Sequence, residues 1–175
     1  MSELLTPVKR EHAKKLFPLI YGTEVTEAIL WDGPESLQSY ESGFAEREIQ
    51  VASGTRHMRT IIDPESGALA VTADIRPDSN FFRGDLGLWI GLPFQGKGLG
   101  TRVVLELTKY GFEVLGLNKI EAGVFVGNHA SRRVFEKCGY SLEGTIRSAV
   151  QKRGVAVDEW LFGIVKTEFI QSDKD

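Results

Sequence analysis

Apolar residues recur at helical spacing at Ala13, Leu16, Phe17, Ile20 and Tyr21, which predicts a first amphipathic helix. Pro18 lies inside it and is expected to kink or stop it, because proline lacks an N–H and crowds the preceding turn. Leu37, Tyr40, Phe44 and Val51 predict a second helix, opening after the turn Asp32-Gly33-Pro34. Strand-like runs follow. Thr55 to Ile62 and Ala68 to Ile75 read as strands joined by the hairpin-type loop Asp63-Pro64-Glu65-Ser66-Gly67. Gly84 to Leu92 is a third, with Leu86, Leu88, Ile90 and Leu92 on one face and Asp85, Gly87, Trp89 and Gly91 on the other. Two glycines on one strand face need a reason, and close approach of a ligand or of another backbone is one. Helical spacing returns in Val103, Val104, Leu107, Gly111, Val114 and Leu115, within a helix from Thr101 to Leu115. A strand from Lys119 to Val126 leads to a helix from Asn128 to Cys138, with Ala130, Val134, Phe135 and Cys138 inward. Strands from Tyr140 to Val150 and from Val157 to Val165, around a Lys152-Arg153-Gly154 turn, complete a mixed α/β sandwich.

The 175 residues, 42% hydrophobic and 26% charged, suit one soluble domain over 1–170, with a polar tail over 171–175. A net charge of −3 gives no basic field for nucleic acid. The N-terminus lacks a basic segment followed by an apolar run, and no stretch is long enough to span a membrane, so no membrane partner is expected. The lone Cys138 can form no internal disulfide, which fits a reducing, cytoplasmic setting. His12, His57 and His129 are widely spaced and form no zinc pattern, so no metal is expected.

The chemistry concentrates in Gln95-Gly96-Lys97-Gly98-Leu99-Gly100-Thr101, between a strand and a helix. Glycines let the backbone turn tightly and approach a ligand, and the next helix begins with free N–H groups and a positive dipole end. Together these make a phosphate cradle. The dipole adds only ~0.3–1 kcal/mol, so N–H bonds to charged oxygens, roughly 1.5–3 kcal/mol each, must carry most of the binding. Counted from Gly96, the last glycine of a dinucleotide fingerprint falls on Thr101, and Gly96-Lys97 is followed by Gly98 rather than Ser or Thr. Neither nucleotide motif fits. A glycine turn that only ends a strand is the plain alternative.

The loop resembles the Gln/Arg-x-x-Gly-x-Gly/Ala motif of the GNAT acetyltransferases. Gly87-Leu88-Trp89-Ile90-Gly91 before it, and Asn128-His129-Ala130-Ser131-Arg132-Arg133-Val134, Gly139-Tyr140 and Leu142-Glu143-Gly144 after it, resemble the branch that modifies ribosomal protein N-termini. The likeness runs from about Gly84 to Phe169; earlier residues match only in layout. It implies a mixed, mostly antiparallel central sheet, splayed in the middle and flanked by helices on both faces. It implies acetyl-CoA as acetyl donor, with its pyrophosphate on the backbone of Gln95, Gly96, Lys97, Gly98, Leu99, Gly100 and Thr101. The pantetheine arm would pair with Ile90, Gly91 and Leu92, giving Gly91 its reason. An N–H of that strand would polarise the acetyl carbonyl. Asn128 would bond the pantetheine and Ser131 would sit by the sulfur, although Asn128 is also a good helix N-cap. The acceptor would be a primary amine. The branch favours a protein N-terminus; polyamines, amino sugars and aminoglycosides are the small-amine alternatives. Monomer and homodimer both fit.

Many family members carry a tyrosine seven residues after this asparagine, as proton donor to the leaving thiolate. Here that position is Phe135, which leaves Ser131 or water as donor, while Tyr140 reads as packing. A lysine-like amine, with pKa about 10.4, costs about 4–5 kcal/mol to deprotonate at neutral pH, whereas an α-amine near 7.7–8.0 costs about 1 kcal/mol. A weak carboxylate base therefore suffices for an N-terminus. Asp85 is the first candidate, because it shares the glycine-bearing face; Asp74, Asp158 and Glu159 are alternatives. His129 reads as a surface residue and Cys138 as buried and inert. Glu24, Trp31 and Asp32 fall where the family covers its acceptor groove. The rivals are a non-catalytic acyl-CoA sensor on the same fold and a nucleotide-binding regulatory domain.

Overall fold

The computed structural model describes residues 5–78, 80 and 82–172, with side chains described to 169. Met1 to Leu4, Ser79 of the Asp78-Ser79-Asn80 loop, and 173–175 of the polar tail lie outside them. The elements are β1 (Leu5–Pro7), α1 (His12–Ile20), a 3-10 turn (Glu24–Ala28), α2 (Leu37–Ala52), β2 (His57–Ile62), β3 (Leu69–Asp78) and β4 (Arg83–Ile90). A second 3-10 turn (Leu92–Phe94) precedes α3 (Leu99–Glu113), β5 (Lys119–Phe125), α4 (His129–Lys137), β6 (Ser141–Lys152), β7 (Val155–Val165) and α5 (Lys166–Ser172).

One seven-stranded sheet has the order β1-β2-β3-β4-β5-β7-β6. All neighbours are antiparallel except β4 and β5, which run parallel and pair only at Arg83–Lys119, Gly84–Ile120 and Asp85–Glu121. Beyond Asp85 the two strands part, so the sheet is splayed in the middle, as the family likeness implies. Two cores cover its two faces. Val103, Val104, Leu107 and Phe112 of α3, Phe135 of α4 and Phe169 of α5 pack on Val71, Ala73, Ile75, Leu86 and Ile120. Ala13, Leu16 and Ile20 of α1 with Tyr40 and Phe44 of α2 pack on Met58, with Trp89 against them. β4 feeds both cores by its alternation, because its neighbouring side chains point to opposite faces.

Several elements depart from the sequence-based expectation. α1 runs through Pro18 to Ile20: Pro18 is exposed, so the carbonyl it leaves unbonded can turn to water. β4 stops at Ile90, and Leu92 opens a 3-10 turn, 44% exposed, because Pro93 cannot donate to a ladder. Val114 is the C-cap of α3 and points outward, while Phe112 takes the buried place. Ala130 is exposed in the mouth of a cavity rather than inward. Short β1, the two 3-10 turns and α5 carry too little periodicity to be foreseen. Gly87 and Gly91 make room for side chains. A Cβ on Gly87 would lie 3.2 Å from Asp74 Oδ1, and one on Gly91 3.2 Å from the Leu19 side chain.

Candidate active site

The parting of β4 and β5 opens a cavity of about 890 Å³ through the middle of the molecule. One end is the glycine loop. Gly96 and Gly98 have φ of +75° and +76°, and nothing stands within 4 Å of where their Cβ atoms would be. They are glycines for conformation: a left-handed residue other than glycine costs about 1–2 kcal/mol. Gly100 differs, since a Cβ there would lie 3.1 Å from Ile90 Cδ1 and 3.4 Å from Val134 Cγ2. Its absence lets α3 start close against β4 and α4. Gly98 is the N-cap of α3 and supplies no side-chain bond, so the first-turn N–H groups stay open toward the loop. The Gln95 side chain donates to the Ile90 carbonyl at 2.9 Å and ties the loop to the end of β4.

In the middle, the parted strands leave backbone groups unpaired. Gly91 N donates to Ala70 of β3. By the alternation of an antiparallel pair, Leu88 and Ile90 turn their N–H groups the other way, toward the gap. Asn128 caps α4: its Oδ1 accepts from Ser131 N at 3.1 Å, and its Nδ2 donates to the Ala28 carbonyl at 3.4 Å. That second bond joins α4 to the first 3-10 turn. Ser131, in the first turn of α4, lines the cavity half-buried. Phe135 is buried against Tyr140 and Phe162. Tyr140 is also buried, with its hydroxyl 2.7 Å from that of Thr108, and burial raises its pKa above the ordinary range. Cys138 is buried against the Thr101 carbonyl, and burial pushes its thiol up to about 11.

The other end is rich in charge. Asp74 and Arg76 lie on one face of β3, opposite Gly87 and Asp85 of β4. Arg76 bonds both Asp74, at 2.8 Å, and Asp85; Arg56 pairs with Asp74. Asp85 is therefore held by a guanidinium. Glu159 of β7 faces the same space across Gly123, where a Cβ would lie 3.1 Å from its Oε2. No ion pair engages Glu159 among the described residues. Its pKa is raised above 4.5, by burial first and by the charge of Asp85 second.

Nearly all the residues singled out from the sequence meet at this one cavity, Asp85, Ser131 and Asn128 included. Gly91 and Lys97 do not: Gly91 is buried under Leu19, and Lys97 rests its ammonium 5.9 Å from the Phe94 ring. Asp158 is drawn off to cap the Ser148 N–H at 2.7 Å. Arg47, Arg56 and Arg76 went unnoticed in the sequence, although Thr72, Asp74 and Arg76 alternate on one strand face and so signal a polar wall. Among the described residues no three His, Cys, Asp or Glu gather to hold a metal. No helix among them is long and apolar enough to cross a membrane.

The sequence matches the acetyltransferase (GNAT) domain family over residues 4–141, so the likeness extends well before Gly84. The chain is 34% identical over 87 residues to the "Putative ribosomal N-acetyltransferase YdaF" of Bacillus subtilis (strain 168), covering 50% of this chain and 48% of that one. It is 25% identical over 114 residues to the "L-amino acid N-acetyltransferase AaaT" of Escherichia coli (strain K12), covering 65% and 70%. The chain spans about half the length of the first curated relatives it matches. A crystal structure of a "Probable acetyltransferase" superposes with a TM-score of 0.86 at 26% identity, over 95% of this chain and 96% of that one. Sequence, sheet and splay agree: the chain belongs to the GNAT acetyltransferase family.

Proposed function

We propose that the chain is an N-acetyltransferase that takes the acetyl group of acetyl-CoA and delivers it to a primary amine, both substrates being bound together. The observation that carries this reading is the continuity of the cavity. It runs from the glycine loop, through the gap between β4 and β5, to an acid-bearing pocket. The residues present fit the donor: the first turn of α3 is uncapped, and β4 offers unpaired N–H groups. When bound, acetyl-CoA supplies an activated thioester whose acyl carbon accepts the amine.

Around that carbon the protein positions and moves protons. The first turn of α3 would hold the pyrophosphate, and the N–H groups of Leu88 and Ile90 lie along the gap that the pantetheine arm would enter. Glu159 is the proposed base. Its pKa, raised by burial first and by the charge of Asp85 second, makes it a better proton acceptor than an ordinary carboxylate. Attack of the neutral amine nitrogen would form the amide bond as the carbon–sulfur bond breaks; one amine proton would pass to Glu159, and the sulfur would leave as a thiolate, hydrogen-bonded by the Ser131 hydroxyl and protonated from water. Holding two substrates in one cavity makes a bimolecular step effectively unimolecular. The name of the Bacillus relative favours a ribosomal acceptor, and that of the Escherichia relative an amino acid. A cytoplasmic enzyme, monomeric or homodimeric, accords with this reading.

The test is thiol release from acetyl-CoA against a panel of amines. Turnover with at least one amine is expected, and Glu159→Gln should lower it by about 10²–10⁴-fold, the usual worth of a general base. Acetyl-CoA binding with no acetylation of any amine would instead support the sensor reading.

A further inference from the structure

In the acceptor half of the cavity most charges cancel in pairs. Arg56 and Arg76 are both bonded to Asp74, and Arg76 also to Asp85. Glu24 stands exposed at the rim, and Arg133 and Lys137 belong to α4 at the donor end. Two charges remain inside that make no ion pair among the described residues: the carboxylate of Glu159 and the guanidinium of Arg47.

Arg47 is built into the pocket wall. Tyr40, Phe44 and Arg47 follow at helical spacing on one face of α2. The arginine folds back along its helix, so that Nη1 lies 3.4 Å from where a Cβ on Gly43 would be. Its guanidinium sits 5.6 Å from the centre of the Trp31 ring and 5.4 Å from that of Phe44. Trp31 in turn stacks on Tyr40 at 5.8 Å. Nη1 is buried and has no hydrogen-bond partner. A buried guanidinium donor without an acceptor costs more than an ordinary lost hydrogen bond, and such a group calls for an explanation, of which an acceptor on a bound molecule is one. Burial also weakens the hold of Arg47 on its proton, outweighing the pull of Asp74 and Glu46, neither of which pairs with it directly.

We propose that Arg47 recognises a carboxylate on the acceptor, so that the amine acetylated belongs to a molecule bearing an acid group near it. Glu159 and Arg47 then form the two poles of one pocket, matching ammonium and carboxylate. Guanidinium is suited to this by its planar fork, which bonds both carboxylate oxygens. The same cation opposes a polyamine, whose second ammonium would enter a pocket already holding an unpaired positive charge. Acidic peptides with a free N-terminus and free amino acids share this chemistry. The inference rests on the acceptor side of the N-acetyltransferase reading, yet it concerns binding and can be tested without turnover.

The experiment compares matched pairs: glutamate-type amino acids against their carboxamides, and peptides with Glu or Gln after the free N-terminus. Spermidine serves as the cationic probe. Binding is measured by calorimetry with CoA present, and turnover by thiol release. The carboxylate member of at least one pair should bind about 10- to 100-fold more tightly than its amide, as loss of a charged hydrogen bond implies. Arg47→Gln should bring that ratio close to one by raising KM with little change in kcat, and Arg47→Lys should restore part of it. CoA affinity and Tm of the variants check that the fold survives. Equal binding of acid and amide by the wild type, tighter binding of spermidine, or a ratio unchanged in Arg47→Gln would overturn the proposal. Carboxylate-dependent binding with no acetyl transfer would leave Arg47 in this role and remove the transferase reading alone.

Discussion

At the scale of single residues, the site turns on how Glu159 is kept different from its neighbours. Asp74 and Asp85 are both spoken for by arginines, and Asp158 by a backbone N–H, whereas Glu159 meets burial and a like charge. Its carboxyl therefore ionises above 4.5, and activity that depends on its basic form should fall as pH drops through that raised value. The acidic limb of kcat/KM should thus lie above the ordinary carboxylate range and vanish in Glu159→Gln. The stability effect has the opposite sense. A raised folded-state pKa means that the charged form is disfavoured by folding, so Glu159→Gln should melt higher than wild type at neutral pH. That advantage should shrink as pH falls through the raised value and be gone below the unfolded one. Melting curves at several pH values check both ends. The sequence made Glu159 one of several acidic candidates and put Asp85 first, because strand alternation says which face a residue takes but not who pairs with it. Arg76 stands directly across the sheet from Asp85, and only the register of β3 on β4 reveals that pairing. Arg47 was invisible for a similar reason: on α2 it reads as a polar position on a helix flank.

At the scale of elements, the long periodic segments were legible and their ends were not. α2, α3, α4 and the six longer strands lie where the hydrophobic pattern puts them; the helices and β2, β3, β4, β5 and β7 bury apolar side chains against the sheet, while β6 is largely exposed and is held by its pairing with β7. The start of α2 illustrates what the pattern leaves out. Ser36 and Ser39 exchange side-chain bonds with one another's backbone N–H at 3.1 Å, a reciprocal cap that fixes the first turn. Ser36→Ala should destabilise the protein by ~1 kcal/mol in a denaturant titration, as for other caps of this kind. Gly98→Ala makes a sharper test at the loop. It should cost about 1–2 kcal/mol for the left-handed conformation and weaken CoA binding as well, since relieving the strain must move the turn that starts α3. Gly84 carries another close contact, where a Cβ would lie 2.7 Å from Leu117 Cδ1 and 2.8 Å from Ile75 Cγ2. Gly84→Ala should therefore cost about 1–3 kcal/mol from overpacking, at one of the few residues where β4 still pairs with β5.

At the scale of the whole molecule, contacts distant in sequence close the acceptor end. The tip of the β6–β7 hairpin reaches the segment after the first 3-10 turn. Lys152 bonds the carbonyls of Leu30 and Trp31 and pairs with Asp32 at 2.6 Å; Arg153 pairs with Glu27 at 2.8 Å and Asp32 at 3.0 Å. Lys152 is buried in doing so, and Lys152→Met, which leaves those acceptors unmet, should cost ~1–3 kcal/mol. The Arg153 pairs are exposed and open to salt. Raising ionic strength, or Arg153→Gln, should loosen the acceptor wall and raise acceptor KM while donor KM holds steady. No local pattern announces this closure, because its partners are more than a hundred residues apart. The parted strands have a further consequence. The four strands from β1 to β4 and the three of β5, β7 and β6 are joined across a ladder that has lost its upper rungs. The amides of Leu88 and Ile90 should exchange with deuterated water faster than those of Trp89 or Gly91, which bond into β3. Saturation with CoA should slow that exchange selectively, turning two backbone positions into an intrinsic gauge of donor occupancy.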